Sequence, residues 1–165
     1  MRIDNKQISA REWGALAVFV TGCLVVGMLG GFVTSTSVDS WYPDLNKPSW
    51  NPPAWVFGPV WTLLYIMMGV SVWLVWRRRE FHDTRPAMVL FAVQLLLNTA
   101  WSTIFFGLRE PGYAVIDIVL LWLAIVATTG AFGRISKSAA WLLVPYLAWV
   151  SFAALLNFTI WRLNP

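Results

Sequence analysis

The sequence is poor in charge, cysteine and histidine. Only 12% of its 165 residues are charged, about half of the ~25% found in soluble domains, so lipid rather than water is expected to cover most of the surface. Cys23 is the only cysteine and His82 the only histidine, which excludes an intrachain disulfide and a cysteine-based metal site. The net charge is +4, but the basic residues flank apolar segments. This is typical of membrane topology signals and not of a nucleic-acid-binding surface.

The sequence is rich in long apolar runs and in tryptophan, with 58% hydrophobic residues and 12 Trp. Four runs carry no charge and a fifth carries only Asp117; each is close to the ~20 residues that a transmembrane helix needs. The linkers between them are too short to hold further domains. The sequence therefore predicts one all-α domain over residues 1–165, an integral membrane bundle of five transmembrane helices. The predicted spans are Gly14–Val33, Trp55–Trp76, Pro86–Leu108, Tyr113–Phe132 and Ser138–Trp161.

The basic residues predict an orientation. Five spans place the N-terminus and the second and fourth loops on one side, and that side carries most of the positive charge. If the membrane is a bacterial inner membrane, the positive-inside rule puts the N-terminus in the cytoplasm. The basic side holds Arg2, Lys6, Arg11, Arg77, Arg78, Arg79, Arg85, Arg134 and Lys137, whereas the opposite side holds Lys47, Arg109 and Arg162.

The long first loop, residues 34–54, lies on the less basic side and contains several aromatic residues. Proline fixes φ and restricts the residue before it, so the four prolines of this loop predict a stiff, ordered lid. They are Pro43, Pro48, Pro52 and Pro53.

Stripes of aromatic and polar residues run along three helices at the depth of this lid. Any single stripe is more typical of helix packing, but three at one depth favour a cavity open or gated on the lidded side. The stripes are Trp61, Tyr65 and Met68 in the second helix, Gln94, Asn98, Trp101 and Phe105 in the third, and Trp149, Ala153 and Asn157 in the fifth.

The lid carries the pattern Trp-Tyr-x-x-Leu-x-Lys-Pro-x-Trp-x-Pro-Pro over residues 41–53, followed by Trp55 and Trp61. With Asn98-x-x-Trp101 in the third helix and Pro145-Tyr146-x-x-Trp149 in the fifth, the sequence resembles the TspO/MBR family. That family comprises the tryptophan-rich sensory proteins and the mitochondrial translocator protein. The resemblance covers nearly the whole chain.

The resemblance implies a five-helix bundle, commonly a homodimer, whose first loop covers a pocket for porphyrins and synthetic ligands. Residues Gly27 and Gly31 of the first helix predict a close helix contact, either within the bundle or between protomers. The positions that match the family's pocket are Tyr42, Trp50, Pro52, Trp61, Tyr65, Asn98, Trp101, Trp149 and Ala153.

A porphyrin suits such a pocket because tryptophan faces can stack on its rings. Lys47 is either a partner for a ligand carboxylate or an anchor at the membrane surface. Haem iron usually takes a His, Cys, Met or Tyr ligand, and His82 is expected on the opposite side. A bound haem is therefore expected without histidine ligation in this pocket. The sequence predicts no metal site and no required cofactor, with porphyrin, haem or another hydrophobic small molecule as the ligand.

Three functions fit these features. The first is a receptor, sensor or transporter for protoporphyrin, haem and related tetrapyrroles. The second, implied by the resemblance, is an enzyme for light- and oxygen-dependent porphyrin degradation, with Trp61 and Trp149 as candidate catalytic residues. The third is a proton-coupled small-molecule exporter driven by Asp117, because an acid inside the membrane is costly and often functional. The alternative for Asp117 is a shallow carboxyl group that is wetted from the lidded side and is hydrogen-bonded or protonated, since no cation lies within the predicted spans to pair with it.

Overall fold

The computed structural model describes residues 9–164, and within them the chain forms five long helices. All five are long and apolar enough to cross a membrane, so the predicted five-helix membrane bundle is confirmed. Arg2 and Lys6, used above for orientation, lie outside the described residues. The helices are α1 Ala10–Ser35, α2 Ala54–Trp76, α3 Arg85–Ser102 with a π-helical turn at Thr103–Gly107, α4 Pro111–Ile135 and α5 Lys137–Leu163.

The helices begin at recognisable start signals. Ser9 and Glu12 form a capping box at the start of α1, and the Ser136 side chain accepts a hydrogen bond from the backbone of Ala139 in α5. A proline lies in the first turn of both α3 and α4, where its missing N–H costs nothing. Because these signals lie outside the apolar runs, the helices begin before the predicted spans; α1 begins at Ala10 instead of Gly14.

The end of the bundle that carries Arg77–Arg79, here called the basic half, is closely packed. Met68, Val72 and Val75 of α2 are fully buried there, and Phe91 stacks on Phe132 with ring centroids 5.8 Å apart. The opposite end, beneath the first loop, is called the lidded half.

An ion pair and a hydrogen bond join α1 to α2 in the basic half. Arg77 forms an ion pair of 2.9 Å with Glu12, and the Trp73 indole donates to the Glu12 backbone carbonyl at 2.9 Å. Trp73 is only 6% exposed, so it belongs to the bundle interior and not to a belt at the membrane surface. Trp13 and Trp141 are 55% and 71% exposed, as expected for belt residues.

Candidate ligand-binding cavity

The lidded half contains a cavity of about 600 Å³, within the 300–1,000 Å³ range of small-molecule sites. Its walls come from α1, α2, α3 with its π-helical turn, and α5, and the first loop forms its roof. Of the nine positions that match the family's pocket, six line it: Tyr42, Trp61, Tyr65, Asn98, Trp101 and Ala153. The sequence therefore predicted the depth and most of the contributing helices.

The other three of these nine positions do not line this cavity. Trp50 is 43% exposed and packs edge-on against Phe152, while Pro52 is half-buried in the loop. Trp149 lines a second cavity of about 400 Å³ between α2 and α5. Positions four apart on a helix drift by about 40° per step, so Trp149 faces about 80° away from Asn157, which does line the main cavity.

An aromatic layer stands behind the cavity wall. Phe57 lines the cavity and packs edge-on against Trp149 at 5.8 Å, which in turn lies 5.6 Å from Phe152. Trp149 therefore contacts the main site through Phe57. Its indole Nε1 is buried and has no hydrogen-bond partner within residues 9–164.

A buried hydrogen-bond chain forms the floor of the cavity. The Tyr65 hydroxyl donates to Asn98 Oδ1, Asn98 Nδ2 donates to the Tyr146 hydroxyl at 3.1 Å, and that hydroxyl donates to Gln94 at 2.9 Å. These bonds join α2, α3 and α5. A Cβ placed on Gly27 would lie 2.5 Å from the Tyr65 ring, so this glycine gives Tyr65 its space. Gly27 thus makes a contact inside the bundle.

The π-helical turn shapes the wall on the α3 side. Trp101 stacks on Phe105 with centroids 5.4 Å apart, and its indole donates to Asn157 at 2.9 Å. Asn157 in turn donates to the Pro111 carbonyl at 2.9 Å. The wider turn lets the consecutive residues Phe105 and Phe106 both line the cavity. Phe106 was not predicted from the sequence, because a π-helical turn has no sequence signature; such turns are frequent at functional sites.

Hydrogen bonds hold the roof in place. Lys47 Nζ donates to the carbonyls of Tyr42, Pro43 and Leu45 at 2.7–2.9 Å and lies 5.0 Å from the centre of the Tyr42 ring. All three ammonium protons are thus used inside the loop, a role for Lys47 that neither expectation included. Burial raises the pKa of the Tyr42 phenol, which donates to Asn51 at 2.8 Å as a neutral hydroxyl.

The roof is also fastened to the bundle. Ser37 Oγ donates to the Phe106 carbonyl at 2.7 Å, which ties the loop to the end of α3. The Asn46 backbone exchanges two hydrogen bonds with the Asn164 side chain, at 2.9 and 3.0 Å, which ties it to the end of α5.

Two other predicted residues lie away from the cavity. Asp117 is 8% exposed and does not line it, and its Oδ2 has no hydrogen-bond partner within residues 9–164. His82 is exposed in the loop between α2 and α3, in the basic half. Among the described residues, no three His, Cys, Asp or Glu side chains are grouped to hold a metal ion.

Comparison with known proteins agrees with this architecture. A model described as the TspO/MBR family matches residues 19–162. The Tryptophan-rich protein TspO of Chlorobaculum tepidum is 50% identical over 165 residues, covering 98% of this chain and 99% of the relative. The human Translocator protein is 46% identical over 87% of this chain and 88% of its own. The Tryptophan-rich sensory protein of Cereibacter sphaeroides is 36% identical over 93% of both. This chain is an integral, multi-pass membrane protein that belongs to the TspO/MBR family.

Proposed function

We propose that this protein binds porphyrins and related flat tetrapyrroles in the lidded half and serves as a receptor, sensor or transporter for them. The observation that carries this proposal is the cavity of about 600 Å³ whose walls hold Trp61, Trp101, Phe105 and Phe57. Each aromatic face that stacks on the ligand contributes about 0.5–1.5 kcal/mol beyond the burial of apolar area. Such a cavity favours a broad aromatic ligand over a compact polar one.

The charges around the cavity bear on how it would bind the propionates of a porphyrin. Within residues 9–164 no lysine or arginine lines it, and Asp39 at the exposed edge of the roof is its only charged lining residue. The two propionates of protoporphyrin therefore gain no ion pair and extend toward water at the edge. Binding then depends on stacking and burial, and the dimethyl ester of protoporphyrin binds at least as tightly as the free acid.

The test is a titration of purified protein with protoporphyrin, followed by quenching of tryptophan fluorescence. Trp61→Ala and Trp101→Ala each remove one wall and weaken binding by about tenfold, from the lost stacking and burial. Trp141→Ala is the matched control, because Trp141 is 71% exposed in the basic half. Equal affinities for Trp61→Ala and Trp141→Ala would refute this site.

We also propose that the N-terminus faces the cytoplasm of a bacterial-type cell. The described ends of the bundle differ in charge: Arg77, Arg78, Arg79, Arg85, Arg134 and Lys137 lie in the loops and helix ends of the basic half. Two reporters are each fused to the N-terminus, one that is active only in the cytoplasm and one that is active only in the periplasm. The cytoplasmic reporter is expected to be active and the periplasmic reporter inactive. Activity of a periplasmic reporter there would reverse the orientation.

A further inference from the structure

The lining of the cavity is buried on one side and exposed on the other. Most residues that α3 and α5 contribute are nearly inaccessible, with Asn98 2%, Leu156 5% and Ile160 1% exposed, and none of them is fully exposed. Several lining residues of α1 and α2 near the lid are the opposite: Met28 is 65% and Trp55 75% exposed. In a membrane-spanning bundle, exposed positions on these helices face lipid. The cavity therefore reaches the lipid-facing surface between α1 and α2.

The spacing of α1 and α2 explains this opening. In the basic half the two helices touch closely, since a Cβ on Gly69 would lie 2.6 Å from the Val20 backbone. Nearer the lid the two helices carry Gly31 and Gly58, both exposed and both lining the cavity. A Cβ on either would meet no atom within 4 Å. We call this opening, bordered by Met28, Gly31, Trp55 and Gly58, the α1–α2 gap.

The roof, by contrast, is fastened. The loop is tied to α3 through Ser37 and Phe106 and to α5 through Asn46 and Asn164, and Lys47 binds three of its carbonyls. Passage from water through the roof requires these hydrogen bonds to break. Passage through the α1–α2 gap leaves all of them intact.

We infer that the cavity exchanges its ligand with the bilayer, sideways through the α1–α2 gap, and that its ligands are flat molecules already dissolved in the membrane. This inference rests on the porphyrin-binding function proposed above and identifies the pool from which the ligand comes. Uncharged or esterified tetrapyrroles, which partition into hydrocarbon, are the favoured class.

The first experiment narrows the gap without disturbing packing. Gly31→Leu combined with Gly58→Leu places two side chains in open space. The matched control is Gly22→Leu with Gly130→Leu, because these exposed glycines also have no neighbour within 4 Å and do not line the cavity. A second variant, Asn164→Ala, loosens the roof. Each protein is placed in vesicles that contain protoporphyrin dimethyl ester, and association and dissociation are followed by stopped-flow quenching.

The narrowed variant is expected to slow association and dissociation together, each by about tenfold, with little change in Kd. The control pair and Asn164→Ala are expected to keep the wild-type rates. Unchanged rates in the narrowed variant, or faster association in Asn164→Ala, would overturn the lateral route. A weaker Kd caused only by faster dissociation would overturn it too, because it would mean that the leucines fill the cavity instead of closing the gap.

A second readout separates this inference from the proposed function. The Ala153→Cys substitution places a cysteine in the cavity, and Cys23→Ser removes the native one. A fluorophore is attached to the new cysteine, and its quenching by lipids that carry a nitroxide on the acyl chain is measured. Strong quenching that falls in the Gly31→Leu/Gly58→Leu variant, but not in the control pair, supports the gap even if the wild type binds no porphyrin. That absence of binding would refute the proposed function alone. Quenching that is equal in all variants would refute the gap.

Discussion

The same two helices meet in opposite ways in the two halves of the bundle. In the basic half, α1 and α2 touch closely at Gly69 and Val20 and are held by the Glu12–Arg77 ion pair. In the lidded half, a Cβ added to Gly31 or Gly58 would meet no atom within 4 Å, and both glycines border a cavity. Small residues thus bring helices together in one half and leave room between them in the other.

The largest effect is expected from breaking the close contact. Gly69→Leu forces side-chain atoms into the Val20 backbone, and such overpacking costs about 1–3 kcal/mol or more. We expect a clearly lower Tm in detergent for this variant. Gly58→Leu, placed in open space on the same helix, should retain the wild-type Tm. Equal melting temperatures for the two would show that the halves do not differ in packing.

A smaller effect is expected at the floor that separates the two halves. Asn98→Leu removes the acceptor of the Tyr65 hydroxyl and the donor to the Tyr146 hydroxyl, which keeps its hydrogen bond to Gln94. An orphaned buried polar group costs about 1–3 kcal/mol, although polar contacts in membranes often contribute less. Thermal unfolding should show lower stability for Asn98→Leu than for Thr99→Leu, whose half-buried hydroxyl bonds only its own helix. A Thr99→Leu variant that is as unstable as Asn98→Leu would contradict this.

Loosening the roof should change the lidded half alone. Lys47→Met removes three hydrogen bonds to loop carbonyls, so backbone amide hydrogen exchange should rise across residues 37–51 and leave α2 and α4 unchanged. Each hydrogen bond to a charged donor contributes up to about 1.5–3 kcal/mol to stability. Because all three bonds lie within the loop, the loss of stability should be confined to it. Lys137→Met, a change of an exposed lysine in the basic half, is the control. Exchange that rises equally in both variants would contradict this role for Lys47.

The smallest expected effect concerns charge at the edge of the cavity. Asp39→Asn removes the only charged lining residue within residues 9–164. It should strengthen binding of the protoporphyrin diacid by about two- to threefold, as expected for an exposed charge pair, and leave the dimethyl ester unaffected. Fluorescence titration of both ligands at low salt measures this difference. Weaker binding of the diacid would mean that Asp39 serves the ligand as a hydrogen-bond acceptor.

Run length and polarity alone predicted the five helices, because a membrane imposes simple limits on both. The stripes on α2 and α3 also placed Trp61, Tyr65, Asn98 and Trp101 on the cavity wall, since their steps alternate between four and three residues and so stay on one face of the helix. Trp149 was placed on the cavity by a stripe made of two steps of four residues, over which the face of a helix rotates by about 80°. The position of Phe106 on the cavity wall depends on a π-helical turn, and the hydrogen bonds of Lys47 depend on the folded shape of the loop. Both arise from tertiary contacts that no sequence pattern reports.

Binding of the ligand in the larger cavity, within the lidded half, is tested most directly by two alanines of α5. Ala153 lines the larger cavity and Ala148 the smaller one, so Ala153→Trp and Ala148→Trp each fill one of them. The measurement is the Kd for protoporphyrin of both variants, with Tm confirming that each is folded. Loss of binding in Ala153→Trp alone is the predicted result. Normal binding in Ala153→Trp with loss in Ala148→Trp would contradict a site in the larger cavity.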